Sequence, residues 1–221
     1  MNKTQQEQGM EILFADKHIA VAVKPTGVLS QDAGENSMPH LLRQQLSVEE
    51  VHVIHRLDKE VGGVMVYGLS KEAAAGLSRT VQNREMEKIY LAVLRGIPGS
   101  NEAVLEDLLF HDHRRNKTYV VDRQRKGVKD AKLDYTLLET AGERSLVRVR
   151  LHTGRTHQIR VQFASRKLPL VGDGKYGGKE PGSKLGLWCH RLSFAHPVTG
   201  EKLSFVQNPP ATAPWDIFTL K

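Results

Sequence analysis

One cysteine, few aromatic residues and no long apolar run set the first limits on this 221-residue chain. The lone Cys189 excludes an internal disulfide and a cysteine-rich metal site, and it suits a reducing cytosol. Its neighbours Leu187, Trp188 and Leu192 point to a packed thiol in a strand, so no chemistry is assigned to it. No window approaches about 18 consecutive apolar residues, which gives no reason to expect a membrane helix. Residues 1–8 are polar and lack the apolar core of an export signal. A soluble, cytoplasmic protein with a flexible start over residues 1–8 is the expectation. Acidic residues are missing from one long stretch: from Arg144 to Gly172 there are six arginines and one lysine, and no Asp or Glu.

A second basic stretch runs from Arg114 to Lys132, with eight Lys/Arg against Asp122 and Asp130. Together the two windows carry +13 in a chain whose net charge is +7, so the remainder carries −6. Such polarity fits a surface that meets a polyanion, where each neutralised phosphate releases counterions. The excess of arginine in the second window fits phosphate forks and base stacking. Hydrophobic content of 39% and charged content of 26% are those of a globular protein. A single domain over residues 1–221 is expected from the length.

Residues 9–23 read as two short strands turned at Asp16-Lys17-His18, and Lys24-Pro25-Thr26-Gly27 ends the second. A short helix is expected from Pro39 to Leu46, with Leu41, Leu42 and Leu46 on one stripe. Ser70 caps a second helix, with Glu72 in its first turn and Ala73, Ala74, Leu77 and Val81 at helical spacing, running to about Glu87. The run from Ile89 to Leu94 is apolar on both faces and reads as a central strand. Residues 111–130 lack periodicity and read as an exposed loop or ribbon. Leu133 to Leu138 and Leu146 to Leu151 read as strands, the second sending Val147 and Val149 one way and Arg148 and Arg150 the other. A turn at Thr153-Gly154-Arg155-Thr156 then leads into a third helix capped by Thr156, with Ile159 and Phe163 inward and His157, Arg160, Val161 and Ala164 on another face. The tail reads as a hairpin turned at Pro197-Val198-Thr199-Gly200. Strands outnumber helices, so the fold class is α+β around a largely antiparallel or mixed sheet with flanking helices.

The stretch His55-Arg56-Leu57-Asp58 packs an imidazole, a cation and an anion directly before the buried run Val64-Met65-Val66-Tyr67. Charge set beside a strand end is costly unless it is paired or used. Taken with Lys24-Pro25-Thr26-Gly27, with Lys88-Ile89-Tyr90-Leu91-Ala92-Val93-Leu94-Arg95-Gly96, with Gly154-Arg155-Thr156-His157-Gln158-Ile159-Arg160-Val161 and with Val171-Gly172-Asp173-Gly174-Lys175-Tyr176-Gly177, this stretch resembles the RluA family of RNA pseudouridine synthases. The closing His196-Pro197-Val198-Thr199-Gly200-Glu201 is similar to that family's last hairpin.

The resemblance implies an isomerase that converts uridine to pseudouridine in ribosomal or transfer RNA. It implies a catalytic carboxylate at Asp58, a base-stacking ring at Tyr90, an arginine at Arg160 that pairs with the aspartate, and Arg56 in the space that a flipped-out nucleotide vacates. His55, Arg155, His157 and Gln158 take supporting places. It also implies no cofactor and no metal, structured RNA as partner, no membrane, no obligatory protein partner and a monomer. No N-terminal S4 domain is expected, because the pattern begins almost at once. In one place the chain departs from the pattern: Val61-Gly62-Gly63 stands where the family usually has Thr-Ser-Gly, which removes two hydroxyls from the aspartate loop and adds backbone freedom. Trp188 also stands where the family commonly has histidine.

Other readings fare worse. A metal site would draw on His111, His113, His152, His157 or His190, of which only His111 and His113 are close in sequence, and they lack a third ligand at recognisable spacing. A glycosidase needs two carboxylates across one bond, and Glu60 is the only local partner for Asp58. A catalytically silent RNA-binding module that retains the fold is the alternative from another class, and the altered Val61-Gly62 segment is its main support.

Overall fold

The structure, a computed structural model, describes residues 10–220, so the expectation for residues 1–8 and the start of the first strand at Gly9 lie outside the described residues. In chain order the elements are β1 (Ile12–Ala15), β2 (Ile19–Lys24), α1 (Met38–Leu46), β3 (His52–Val53), β4 (Gly62–Gly68), α2 (Lys71–Gln82), β5 (Glu87–Arg95), β6 (Glu102–Asp112), β7 (Lys117–Val121), β8 (Val128–Ala141), β9 (Arg144–Leu151), α3 (Gln158–Ala164), β10 (Leu187–Ala195) and β11 (Lys202–Val206). They group into two compact units: the chain up to Met86 with Arg191–Gln207, and Glu87–His190 with the chain from Asn208 onward.

In the first unit, β1 and β2 form the expected hairpin, closed by Asp16, whose Oδ1 accepts the amides of His18 at 2.7 Å and Ile19 at 2.8 Å. Strand β2 pairs antiparallel with β4 from Ile19 opposite Gly68 to Lys24 opposite Gly63, and every residue of both strands is buried. Burial on both faces explains why these runs read as nearly continuous apolar sequence. One face, Ile19, Val21, Val64 and Val66, packs with Ala73 and Leu77 of α2, with Met86, and with Leu192 and Phe194. Helix α2 is capped as expected, Ser70 Oγ accepting the Ala73 amide at 3.2 Å. It ends at Gln82, earlier than Glu87, because Arg84 turns the chain with a left-handed φ of 61°.

The second unit is an antiparallel sheet ordered β5-β9-β8-β6-β7. The alternation in β9 is as read: Val147 and Val149 are buried, Arg148 and Arg150 exposed. Strand β8 extends well beyond Leu133 to Leu138, and a register shift between Leu137 and Glu139 leaves Leu138 45% exposed. Strand β6 carried no expectation: its buried residues Leu105 and Leu109 share one face, but Asp107 stands between them on that face and interrupts the apolar alternation. Of the two forms expected for residues 111–130, the ribbon is the one that occurs, from the end of β6 through β7 into β8. These elements make the protein α+β.

Helix α3 differs from expectation at its start. The cap residue is His157, at φ 54° and ψ 23°, and not Thr156. Gln158 takes over the work expected of the threonine hydroxyl: its Oε1 accepts the Arg155 amide at 3.0 Å and the Thr153 hydroxyl at 2.8 Å, and its Nε2 donates to the Lys132 carbonyl at 3.1 Å. A non-glycine residue held left-handed costs of order 1–3 kcal/mol, so the surroundings of His157 over-determine its place. Six of the seven helix residues are buried, so Arg160 and Val161 lie inside as much as Ile159 and Phe163 do.

Two glycines after α3 permit close backbone approach. A Cβ at Gly172, whose φ is 77°, would land on the Lys184 carbonyl, and one at Gly178 would land on the Leu170 carbonyl oxygen, whereas a Cβ at Gly174 meets nothing within 4 Å. Gly178→Ala is therefore expected to cost about 2–3 kcal/mol, as overpacking does, and to lower the melting temperature by about 5–10 °C. Gly174→Ala, in the same loop, leaves it unchanged; equal melting curves for the two variants would contradict the packing described here.

Candidate active site

The segment His55–Asp58 lies between β3 and β4 and is held from several sides within the first unit. The Ser30 hydroxyl accepts the Leu57 amide at 3.0 Å and donates to the Leu57 carbonyl at 2.7 Å. The Lys59 carbonyl receives the Gly27 amide at 2.8 Å and the Lys24 ammonium at 3.0 Å, and Lys24 Nζ also reaches the Pro25 carbonyl at 2.9 Å. A turn closes over Asp58, whose carbonyl accepts the Val61 amide at 3.0 Å. Exposure alternates along the segment: His55 and Leu57 are buried, Arg56 is exposed and Asp58 is half-buried.

His55 Nε2 accepts the Val66 amide at 3.3 Å, which assigns the ring proton to Nδ1 and makes the imidazole a fastener between the segment and β4. Arg56 Nη1 donates to Gln31 Oε1 at 3.0 Å, so the guanidinium lies on the surface in a fixed place. The Ser30 hydroxyl thus fastens the segment from outside it, and Gly62 opens β4 rather than loosening a loop. Gly63 has a φ of 121°, a value open to glycine and little else.

Lys24 carried no role in the sequence reading, although it ends an otherwise apolar run. Its side chain is fully buried, and burial pushes its pKa down to about 8, against the opposing pull of the Glu60 and Asp58 carboxylates. A buried cation therefore lies behind the candidate carboxylate, anchored to the carbonyls on either side of the loop base.

In the second unit, Tyr90 is 6% exposed and lies opposite Val149 in the β5–β9 ladder. A hydrogen bond links it to Cys189, whose thiol burial pushes up to about 12 with Lys88 and Tyr90 opposing. Cys189 is accordingly a packed, inert thiol, as read. Burial also lowers Lys88, two residues before Tyr90 on β5.

Arg160 is gripped in bidentate fashion by Asp173, Nε to Oδ2 at 2.7 Å and Nη2 to Oδ1 at 2.8 Å, with both side chains buried. Asp173 Oδ1 also accepts the amides of Lys175 at 3.1 Å and Tyr176 at 3.2 Å. That Asp173 holds Arg160 has no local signature, since the partners are thirteen residues apart on a helix and a later loop. Arg160 lies 5.2 Å from the centre of the Tyr176 ring, and His157 Nδ1 is 2.9 Å from the Tyr176 hydroxyl. Arg155 Nε donates to the Asp130 carbonyl at 2.9 Å, so Arg155 and Gln158 both tie the turn before α3 to β8. The structure thus gathers Arg160, His157, Asp173 and Tyr176 in one unit, and Asp58, Arg56, His55 and Lys24 in the other.

The two basic windows separate once ion pairs are assigned. In the second, Arg144 pairs with Glu180, Arg150 with Glu87, Arg160 with Asp173 and Arg166 with Asp107, so most of the charge read as a polyanion surface is met by carboxylates from elsewhere in its own unit. In the first, Arg114, Arg123, Arg125, Lys126 and Lys129 are exposed and make no ion pair among the described residues. Arg125 lies 4.9 Å from the Phe110 ring centre, a planar cation beside an aromatic on the ribbon. Among the described residues, no three His, Cys, Asp or Glu side chains are grouped to hold a metal ion, and no helix is long and apolar enough to cross a membrane.

Comparison with known proteins supplies the chemical context. A family model described as RNA pseudouridylate synthase matches residues 18–165, a span that includes Asp58, Tyr90 and Arg160. An RNA pseudouridine synthase of Aquifex aeolicus is 33% identical over 92% of this chain and 70% of its own length. The ribosomal large subunit pseudouridine synthase D of Neisseria meningitidis serogroup B is 33% identical over 96% of this chain, which spans 60% of that protein. The namesake in Pseudomonas aeruginosa is 30% identical over 98% of this chain and 73% of its own length. Among solved structures, Human RNA Pseudouridylate Synthase Domain Containing 1 superimposes with a TM-score of 0.79 at 25% identity, covering 92% of this chain and 84% of that one. With the aspartate segment and the arginine helix both inside the matched span, the chain belongs to the RNA pseudouridylate synthase family of isomerases, in its RluA branch.

Proposed function

We propose that this chain isomerises uridine to pseudouridine in large-subunit ribosomal RNA, with Asp58 as the reacting carboxylate. The observation that carries the reading is the family match across Asp58, joined to a tightly fastened turn on which that aspartate is the half-buried carboxylate and Glu60 the exposed one. The choice of RNA rests on the names of the Neisseria and Pseudomonas relatives. The reaction breaks the C1′–N1 bond, turns the uracil and joins C1′ to C5, with the C5 proton leaving. It consumes no reductant, oxidant or nucleotide. A carboxylate serves each route to this outcome, by attack on C1′, by attack on the ring, or by drawing a sugar proton to give a glycal.

To react, the uridine leaves its stack at a cost of about a few kcal/mol. Arg56 occupies the vacated place and Tyr90 receives the base, each stacking contact being worth roughly 1–3 kcal/mol. Arg160 supplies a cation to the reaction, and Asp173 keeps its fork in a single orientation. The exposed cations of the ribbon from Arg114 to Lys132 attach the phosphate backbone.

Unmodified transcripts of large-subunit ribosomal RNA and of transfer RNA, assayed for pseudouridine by nearest-neighbour analysis, test the reading. Asp58→Asn is expected to lower pseudouridine formation by roughly 10²–10⁴-fold while leaving RNA binding in place. Equal activity from Asp58→Asn would remove that residue from the chemistry, and binding without product from the wild type would favour the silent RNA-binding module. Modification of the transfer RNA alone would move the substrate to that class. Separately, replacing Arg123, Arg125 and Lys126 by alanine is expected to weaken binding and to flatten the slope of log K against log salt by about 2–3. An unchanged slope would mean that the ribbon is only solvated.

A further inference from the structure

We propose that Tyr176 is a positioning residue that couples the basic β6–β7 ribbon to Arg160; the catalytic consequence rests on the function proposed above. Three parts of this one residue meet five others. Its hydroxyl accepts the Thr118 amide of β7 at 2.7 Å and lies 2.9 Å from His157 Nδ1. Its ring lies 5.2 Å from the Arg160 guanidinium and 5.4 Å from the Lys117 ammonium. Its amide donates to Asp173 Oδ1, the same oxygen that accepts from Arg160 Nη2.

Strand β7 stands at the end of the strand order of its unit, so an amide on its outer side needs a partner from outside the ladder. For Thr118, which is 1% exposed, that partner is the tyrosine hydroxyl. Because the phenol oxygen takes the Thr118 proton, its own proton is available to His157 Nδ1, and the left-handed residue that starts α3 is fastened by the same atom as the ribbon. Two neighbouring bonds run the same way: Lys175 Nζ donates to the Asn116 carbonyl at 2.7 Å, and Thr118 Oγ1 donates to the Thr156 carbonyl at 2.8 Å. The ribbon turn, the loop carrying Asp173 and the start of the Arg160 helix are therefore one hydrogen-bonded body centred on one hydroxyl.

A tyrosine that only fills a core looks different. Tyr135 packs its ring on Phe163 at 5.4 Å and reaches a single carbonyl, that of Ser100, at 3.2 Å. It provides the control, because Tyr135→Phe also removes one phenol hydroxyl from the same unit.

The test compares Tyr176→Phe, Tyr135→Phe and the wild type as full-length chains. By NMR, Tyr176→Phe is expected to speed hydrogen exchange about tenfold or more at both the Thr118 amide and the Arg160 Nε–H, and Tyr135→Phe at neither. Acceleration at Thr118 alone, or at neither site, overturns the coupling. On the transcript that the wild type modifies, Tyr176→Phe is expected to lower kcat about tenfold with KM within about threefold, the split expected when the site is misaligned and RNA attachment is kept. An unchanged kcat overturns the positioning role even if exchange rises. If the wild type modifies neither transcript, the proposed function falls, and the exchange rates alone decide the coupling.

Discussion

The buried pair of Arg160 and Asp173 is the interaction around which the second unit is arranged. Moving both ions out of water is costly, and Coulomb attraction repays that cost only when the geometry is good and the remaining hydrogen-bonding positions are filled. Here the fork is bidentate, and the leftover capacity of the carboxylate goes to the amides of Lys175 and Tyr176. Those amides are available because the loop from Val171 to Gly178 folds tightly, which in turn needs glycines where other backbone comes close. A short helix with almost no exposed surface, a strained residue at its start and a glycine-dependent loop all become intelligible once the pair is taken as their common cause.

The first unit solves a related problem by other means. Asp58 is half-buried, and what is fixed around it is the backbone: the amide and carbonyl of Leu57 by one serine hydroxyl, and the Lys59 carbonyl by an amide and an ammonium. The fully buried Lys24 brings a cation to the same place without occupying the surface that substrate would need. Both units thus spend buried charge on orientation, a use better supported here than any claim for net stability.

Much of this was legible in the sequence where local rules decide. The apolar runs of β2 and β4, the serine cap of α2, the alternation of β9 and the closing hairpin all follow from period and turn chemistry, and each has the expected form. The misses share a cause: a distant partner overrode a local signal. Gln158 displaced Thr156 as the group that satisfies the turn before α3, and the bulge in β8 broke its period. The β6–β7 ribbon shows little alternation because most of its residues on both faces are only partly buried. Of the candidate residues, Asp58 and Arg160 stood out in the sequence through their blocks. Lys24, Asp173 and Tyr176 lay inside quoted blocks yet carried no role, because burial and long-range pairing have no local signature.

The division of the arginines into internally paired and outward-facing sets bears on how the protein lets go of its product. Salt screens exposed charges separated by a Debye length far more than it screens buried pairs. Ions that loosen the ribbon from a polyanion therefore leave the Arg160–Asp173 fork closed. If the ribbon attaches RNA as proposed, ionic conditions tune binding strength with the Arg160–Asp173 geometry intact, and weaker attachment there speeds turnover wherever departure of the modified RNA is the slow step.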